Sequence, residues 1–395
     1  MQIINRNHHI NFDAYRCFWT MAANGKTVRK GEITLPDVLP GDTILIASPV
    51  IGMKIPAGDV RLKISFVLRN GCDWAKAGHE IAYEQFALQE GKLASEALSN
   101  KGNLAVVETN KQLKVTGKGF SATWNTEDGS LISLMYINKE MLAKAKDFAS
   151  QPIVQAFRAP VDNDRSFGNW LAKDWKLQGL DSARVRTDSI THFTRNDGAL
   201  VVVVNKTNLY KTGSVKSKLT YTVTADGAVD LRFSFVPSGN LPDLPRLGIA
   251  LAINSDYSNF TWYGCGPQEN YPDRKSAATV ALWKGKVSEQ AEKYARPQET
   301  GNKEEVRFLS LTNAKGQGLK VEAVEKTFSA SALNYAANDL YNEAHECNLI
   351  ARREVILSLD CAMLGLGNSS CGPGVLKKYA IEKKEQVLHI RITAQ

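Results

Sequence analysis

The chain has 395 residues, enough for two or three domains with sizeable cores. No apolar run is long enough to cross a bilayer, which excludes a helical membrane protein. The net charge of +8 is scattered along the sequence, so a solvated surface is expected and not a nucleic-acid-binding face.

The six cysteines (Cys17, Cys72, Cys265, Cys347, Cys361 and Cys371) are widely spaced and form no CxxC pair. That spacing excludes a zinc ribbon and a disulfide scaffold, and most of these residues are expected to be buried free thiols. Residues 1–9 lack the apolar core of a secretory signal, and the compartment is left open.

Residues 15–88 read as a small β-sandwich. Val60, Leu62, Ile64, Phe66 and Leu68 alternate with Arg61, Lys63 and Ser65, which places the two sets on opposite faces of one strand. Asn24-Gly25 is a two-residue hairpin signal. Several strands in under about a hundred residues suggest an immunoglobulin-like sandwich over residues 1–95. Residues 90–102 lose alternation and gather Gly, Ser, Lys and Asn, the composition of a linker.

Strands resume at residue 103 and continue to 395. Asp128-Gly129 and Asp226-Gly227 each separate alternating segments and are expected to be hairpin turns. Helical text is sparse: residues 167–178, with Leu171 and Trp175 four apart and Gly179 at the end, and a shorter stretch at 338–345. An all-β, two-sheet antiparallel sandwich is expected, and without a βα repeat no (β/α)₈ barrel is present.

The most informative stretch is Trp262-Tyr263-Gly264-Cys265-Gly266-Pro267-Gln268-Glu269-Asn270-Tyr271-Pro272-Asp273-Arg274. Its glycines and prolines end an aromatic strand and shape the loop that follows, so the polar residues after them are presented in one arrangement. On chemistry alone this is either a functional loop or a buried polar corner, with Glu269 or Asp273 paired to Arg274.

This run resembles the signature of the last domain of glycoside hydrolase family 2 β-galactosidases. Further runs agree in the family's order: Phe157-Arg158-Ala159-Pro160-Val161-Asp162-Asn163-Asp164, Arg246-Leu247-Gly248, Tyr294-Ala295-Arg296-Pro297-Gln298-Glu299-Thr300-Gly301-Asn302 and Leu364-Gly365-Leu366-Gly367. The resemblance implies an immunoglobulin-like β-domain followed by a galactose-mutarotase-like supersandwich. In the parent enzyme it implies hydrolysis of terminal β-D-galactosides with retention, through two carboxyl groups about 5–5.5 Å apart. Those glutamates and the magnesium ligands lie in the family's catalytic barrel, so neither a catalytic residue nor a cofactor is assigned here.

The implied partners are the catalytic barrel and N-terminal domains of the parent, β-galactoside sugars, and a second copy of the chain. In the family a tryptophan in the glycine-rich loop stacks on the sugar at the aglycone side. Cys371 occupies that position here, in a loop with Asn368 and Ser370, and is expected to be a buried small residue. The remaining candidates form a polar motif: Arg158, Asp162, Asn163, Asp164, Glu269, Asn270, Tyr271, Asp273, Arg274, Arg296, Glu299 and Asn302.

Three functions are weighed on these residues. The first is a non-catalytic C-terminal portion of a β-galactosidase, as a truncated chain or the small chain of a split enzyme, shaping the active-site cleft. The second is a carbohydrate-binding module with Trp262, Tyr263, Tyr271 and Trp283 as a sugar platform, against which stands their packing in a core. The third is a mutarotase-like epimerase, which needs an acid–base pair such as His with Glu, and none of the six histidines sits in a recognisable motif.

Overall fold

Turn chemistry sets the first ladder. Asn24 and Gly25 both take left-handed φ values, 49° and 77°, as a two-residue hairpin of matching twist requires, and they join Tyr15–Ala23 to Lys26–Ile33. In the computed structural model, which describes residues 1–94, 98, 100, 102–165 and 171–395, the chain divides into two compact units. One is Met1–Lys92 with Val280–Leu282, and the other is Leu93–Thr279 with Trp283–Gln395. No helix among the described residues is long and apolar enough to cross a membrane.

In the first unit Lys26–Ile33, Tyr15–Ala23, Val60–Leu68 and Glu80–Gln89 form a four-stranded antiparallel sheet in that order. Cys17, Trp19 and Met21 pack against Val60, Leu62 and Ile64, as period-2 alternation requires. Arg61 departs from the simple pattern. It is buried, because Asp59 at 2.6 Å and Glu90 at 2.6 Å hold its guanidinium.

The second unit is all-β around one core shared by three sheets. A five-stranded sheet contains the Phe120–Asn125 and Leu131–Tyr136 hairpin, another is built on Arg246–Ile253 and Val355–Met363, and a nine-stranded sheet contains Gly213–Val223 and Val229–Gly239. The ladders named here are antiparallel. Both Asp-Gly pairs sit where strands reverse, with Gly129 at φ 70° and Gly227 at φ 88°. Trp124 meets Tyr221 edge to face across sheets, with ring centroids 5.5 Å apart, and Tyr221 meets Phe233 edge to face within the nine-stranded sheet at 5.0 Å.

Besides the single turn Asp162–Arg165, two short helices interrupt the strands among the described residues. Leu171–Gln178 buries Trp175, whose indole N–H donates to the Asp243 carbonyl at 2.8 Å, and Gly179 follows at φ 74°. The N-terminal part of the helix expected from residue 167 lies outside the described residues. Ala337–Asn342 is the second.

The thiols differ from expectation. Cys17 and Cys265 are buried, Cys361 is half-buried, and Cys72, Cys347 and Cys371 are exposed. The three that are buried or half-buried, Cys17, Cys265 and Cys361, lie in strands, whereas Cys72 lies in a loop and Cys347 in a single 3-10 turn, Glu346–Asn348, outside the sheets; Cys371 is treated below with its loop.

Candidate functional site

The last residue of the strand Asn259–Gly266 is a glycine because a larger residue does not fit there: a Cβ would lie 2.7 Å from the Trp283 ring. The chain then turns at Tyr271–Arg274, with the Arg274 N–H donating to the Tyr271 carbonyl at 2.8 Å. That turn aims Asp273 and Arg274 at the glycine-rich loop more than 90 positions further along the chain.

Asp273 accepts the backbone N–H groups of Leu366 at 2.9 Å and Gly367 at 2.8 Å. Arg274 donates to the Gly367 carbonyl at 2.6 Å and to Asn368 Oδ1 at 2.8 Å, and pairs with Asp273 at 3.1 Å. Of the two pairings left open for Arg274, Asp273 is therefore the one formed. From the other direction Asn163 donates to the same Gly367 carbonyl at 2.6 Å and accepts the Ser370 N–H at 3.1 Å. Arg158, fully buried, donates to the Leu364 carbonyl at 2.7 Å and is held by both oxygens of Asp164 at 3.1 Å.

Two runs distant in sequence, residues 157–164 and 262–274, thus close on one stretch of backbone. The glycines of that stretch follow from the closeness. Gly367 has φ 62°, and a Cβ at Gly365 would lie 2.9 Å from the Asp273 carboxyl carbon. Beyond the grip, the Asn368 carbonyl accepts the N–H groups of Cys371 at 3.1 Å and Gly372 at 2.7 Å, which folds the loop back on itself. Cys371 caps this turn with its side chain exposed, contrary to the expected burial, because the self-closed turn faces it away from the protein.

A second group of motif residues is structural in its bonding. Glu269 accepts from Tyr294 at 2.5 Å, Thr300 at 2.9 Å and the Gly301 N–H at 2.7 Å, with Tyr271 further off at 3.4 Å. Asn270 and Asn302 hold each other's backbone: Asn302 Nδ2 donates to the Asn270 carbonyl at 2.8 Å, and the Asn270 N–H donates to the Asn302 carbonyl at 2.9 Å. Asp162 and Arg296 are exposed and join neither group. A cavity of about 150 Å³ lies between the groups, lined by Asp162, Asn163, Glu269, Tyr294 and Glu299 among others.

Electrostatics explain why these groups are paired. Burial pushes the Glu299 and Asp164 carboxyls up from their ordinary values, against the pull of Arg246 and Arg158. Burial also disfavours the Arg246 charge, but Asp360 at 2.7 Å and Glu299 at 3.6 Å hold its pKa above the ordinary value. The Tyr271 hydroxyl is pushed well up, first by burial and then by Glu269.

Two members of this network, Asp360, which pairs with Arg246, and Glu304, which accepts from Asn302 at 2.8 Å and donates its N–H to Asn270 Oδ1 at 2.7 Å, were not among the residues singled out from sequence. Asp360 had a readable signal, a lone carboxylate inside the apolar strand VILSLDCAM. Trp262, Tyr263 and Tyr271 are each buried and only Trp283 is half-buried, so they do not form an open sugar platform. Among the described residues no three His, Cys, Asp or Glu side chains converge as metal ligands.

Residues 116–392 match the family model described as the β-galactosidase small chain. The chain belongs to the β-galactosidase small-chain family. Residues 1–89 match a second model, β-galactosidase domain 4. A β-galactosidase of Priestia megaterium is 33% identical over 92% of this chain and 34% of its own length, and one of Bifidobacterium adolescentis is 29% identical over 93% of this chain and 35% of its own length. The chain therefore spans about a third of the length of these curated relatives. A galactose mutarotase-like protein from Clostridium acetobutylicum is similar at 11% identity and a TM-score of 0.42, covering 75% of this chain and 99% of that one.

Proposed function

We propose that this chain is the non-catalytic portion of a β-galactosidase that hydrolyses terminal β-D-galactosides with retention, and that it walls the active-site cleft beside a catalytic barrel. The observation that carries this reading is the convergence of Asp273, Arg274, Asn163 and Arg158 on the backbone of residues 364–370. A loop fixed by that many charged groups presents its tip in one place, which suits a wall against a reacting sugar.

The carboxylates support the same reading. Retaining hydrolysis needs a free nucleophile and a free acid/base at a common opening. Here Asp273, Asp164 and Glu269 are each committed to backbone or arginine donors. The family's magnesium site is assigned to the barrel, and its partners are the remaining domains of the parent.

The test is a chromogenic β-galactoside assay of the chain alone and of the chain mixed with a protein supplying a β-galactosidase catalytic barrel. Turnover is expected only in the mixture. Turnover by the chain alone would place the catalytic carboxylates inside it and overturn the proposal.

A further inference from the structure

A cavity of about 480 Å³ in the second unit lies outside the loop clamp and takes no part in the function proposed above. Its volume falls in the range of small-molecule sites, about 300–1,000 Å³. What distinguishes it is a backbone irregularity. The short strand Lys303–Val306 pairs with Phe328–Leu333 through a register shift, and within the shift Glu305 takes φ 55°, a left-handed value that a residue with a side chain rarely adopts.

In a regular strand neighbouring side chains face opposite ways. The left-handed residue breaks that alternation, so both Glu304 and Glu305 line the same cavity. The room for this kink comes from the neighbouring strand, where a Cβ at Gly264 would meet the Glu304 and Glu305 carbonyls at 3.1 Å.

The two carboxyl groups are held differently. Glu305 pairs with Lys275 at 2.8 Å. Glu304 accepts from Asn302 at 2.8 Å and Ser329 at 2.8 Å, both on Oε1, which leaves Oε2 with no hydrogen-bond donor among the described residues. Burial pushes this carboxyl up to about 7, so near neutrality it can both donate and accept. Phe328 and Met363 supply a buried apolar floor.

The other lining carboxylates are already paired, Glu305 with Lys275 and Glu382 with Lys384, and the remaining lysines, Lys326 and Lys378, are exposed to solvent. The interior of the cavity therefore offers a carboxyl that both donates and accepts, beside apolar side chains, and not a fixed ion pair. A neutral molecule with adjacent hydroxyl groups on one side and C–H groups on the other uses both the mixed donors and acceptors and the apolar floor. We propose that this cavity is a binding site for a neutral saccharide of one or two rings, with the free oxygen of Glu304 bonding its hydroxyl groups.

The test uses the chain alone, so its failure is distinct from failure to support turnover with a catalytic barrel. Galactose, lactose and inorganic phosphate are titrated by calorimetry and by ligand-observed NMR against the native chain, E304Q, T327W and C371S. Thr327 lines the cavity, so T327W fills it while leaving the Glu304 carboxyl in the sequence.

The expected result is sugar binding that weakens about tenfold or more in both E304Q and T327W, with C371S unchanged and thermal midpoints showing which variants are folded. If E304Q fails to fold, T327W alone decides. Absence of sugar binding, binding undiminished by the cavity variants, or phosphate binding in place of sugar each overturns the proposal.

Discussion

Replacing Asp273 by Ala removes the acceptor of two backbone N–H groups, those of Leu366 and Gly367, at 2.9 and 2.8 Å. A hydrogen bond to a charged acceptor contributes about 1.5–3 kcal/mol net, so the pair sums to about 3–6 kcal/mol before water repairs part of the loss. The ion pair with Arg274 adds little, since that arginine side chain is 40% exposed and such pairs contribute less than about 1 kcal/mol. The deficit is concentrated in residues 364–370, so local opening should precede global unfolding.

Amide hydrogen exchange reads this directly. Protection at Leu366 and Gly367 should fall by about a hundredfold or more in D273A, while amides in the strand Arg246–Ile253 keep their rates. D273N retains one carbonyl acceptor and should recover part of the protection. Unchanged exchange at Leu366 and Gly367 in D273A would refute the claim that this carboxylate fixes the loop.

Four further outcomes follow from the same structure. D360A leaves the Arg246 guanidinium buried beside Glu299 without its nearest partner, and should cost about 3–5 kcal/mol in urea denaturation. G248A should also destabilise the fold, because a Cβ there would lie 2.3 Å from the Leu359 carbonyl oxygen on the paired strand, and a thermal midpoint equal to that of the native chain would contradict this. For Glu304, burial raises the folded pKa from 4.5 to about 7, so the native state holds its proton more tightly than the unfolded chain; the stability this group contributes is full at low pH and lost as pH rises through that window, and E304Q should flatten the corresponding slope of urea midpoints. Thiol titration of the native chain should label Cys72, Cys347 and Cys371 quickly, with Cys17, Cys265 and Cys361 reacting only after denaturation.

Much of the fold was legible because its causes are local. Asn24-Gly25, Asp128-Gly129 and Asp226-Gly227 carry the conformations that reversals demand, and the period-2 runs between them give the strands. Arg61 shows the limit: alternation faces it outward, but Asp59 two positions earlier keeps it buried.

The site was legible in composition but not in pairing. The motif residues named Asp273, Arg274 and Asn163, yet that all three close on residues 366–370 depends on contacts spanning 93 to 207 positions, which no local pattern encodes. Glu304 and Glu305 were hidden for a different reason. Nothing in Lys303-Glu304-Glu305-Val306 announces a left-handed residue, so a strand reading sends the two carboxylates to opposite faces.

The central claim is that these motifs hold a loop where it walls the cleft of an assembled β-galactosidase. It is tested most directly by turnover of a chromogenic galactoside in the assembly of a catalytic barrel with this chain or with D273A. The account expects D273A to remain bound to the barrel and to lower turnover by about tenfold to a hundredfold, the usual effect of misplacing a positioning element by about 1 Å. Full turnover in a stable assembly carrying D273A would contradict it.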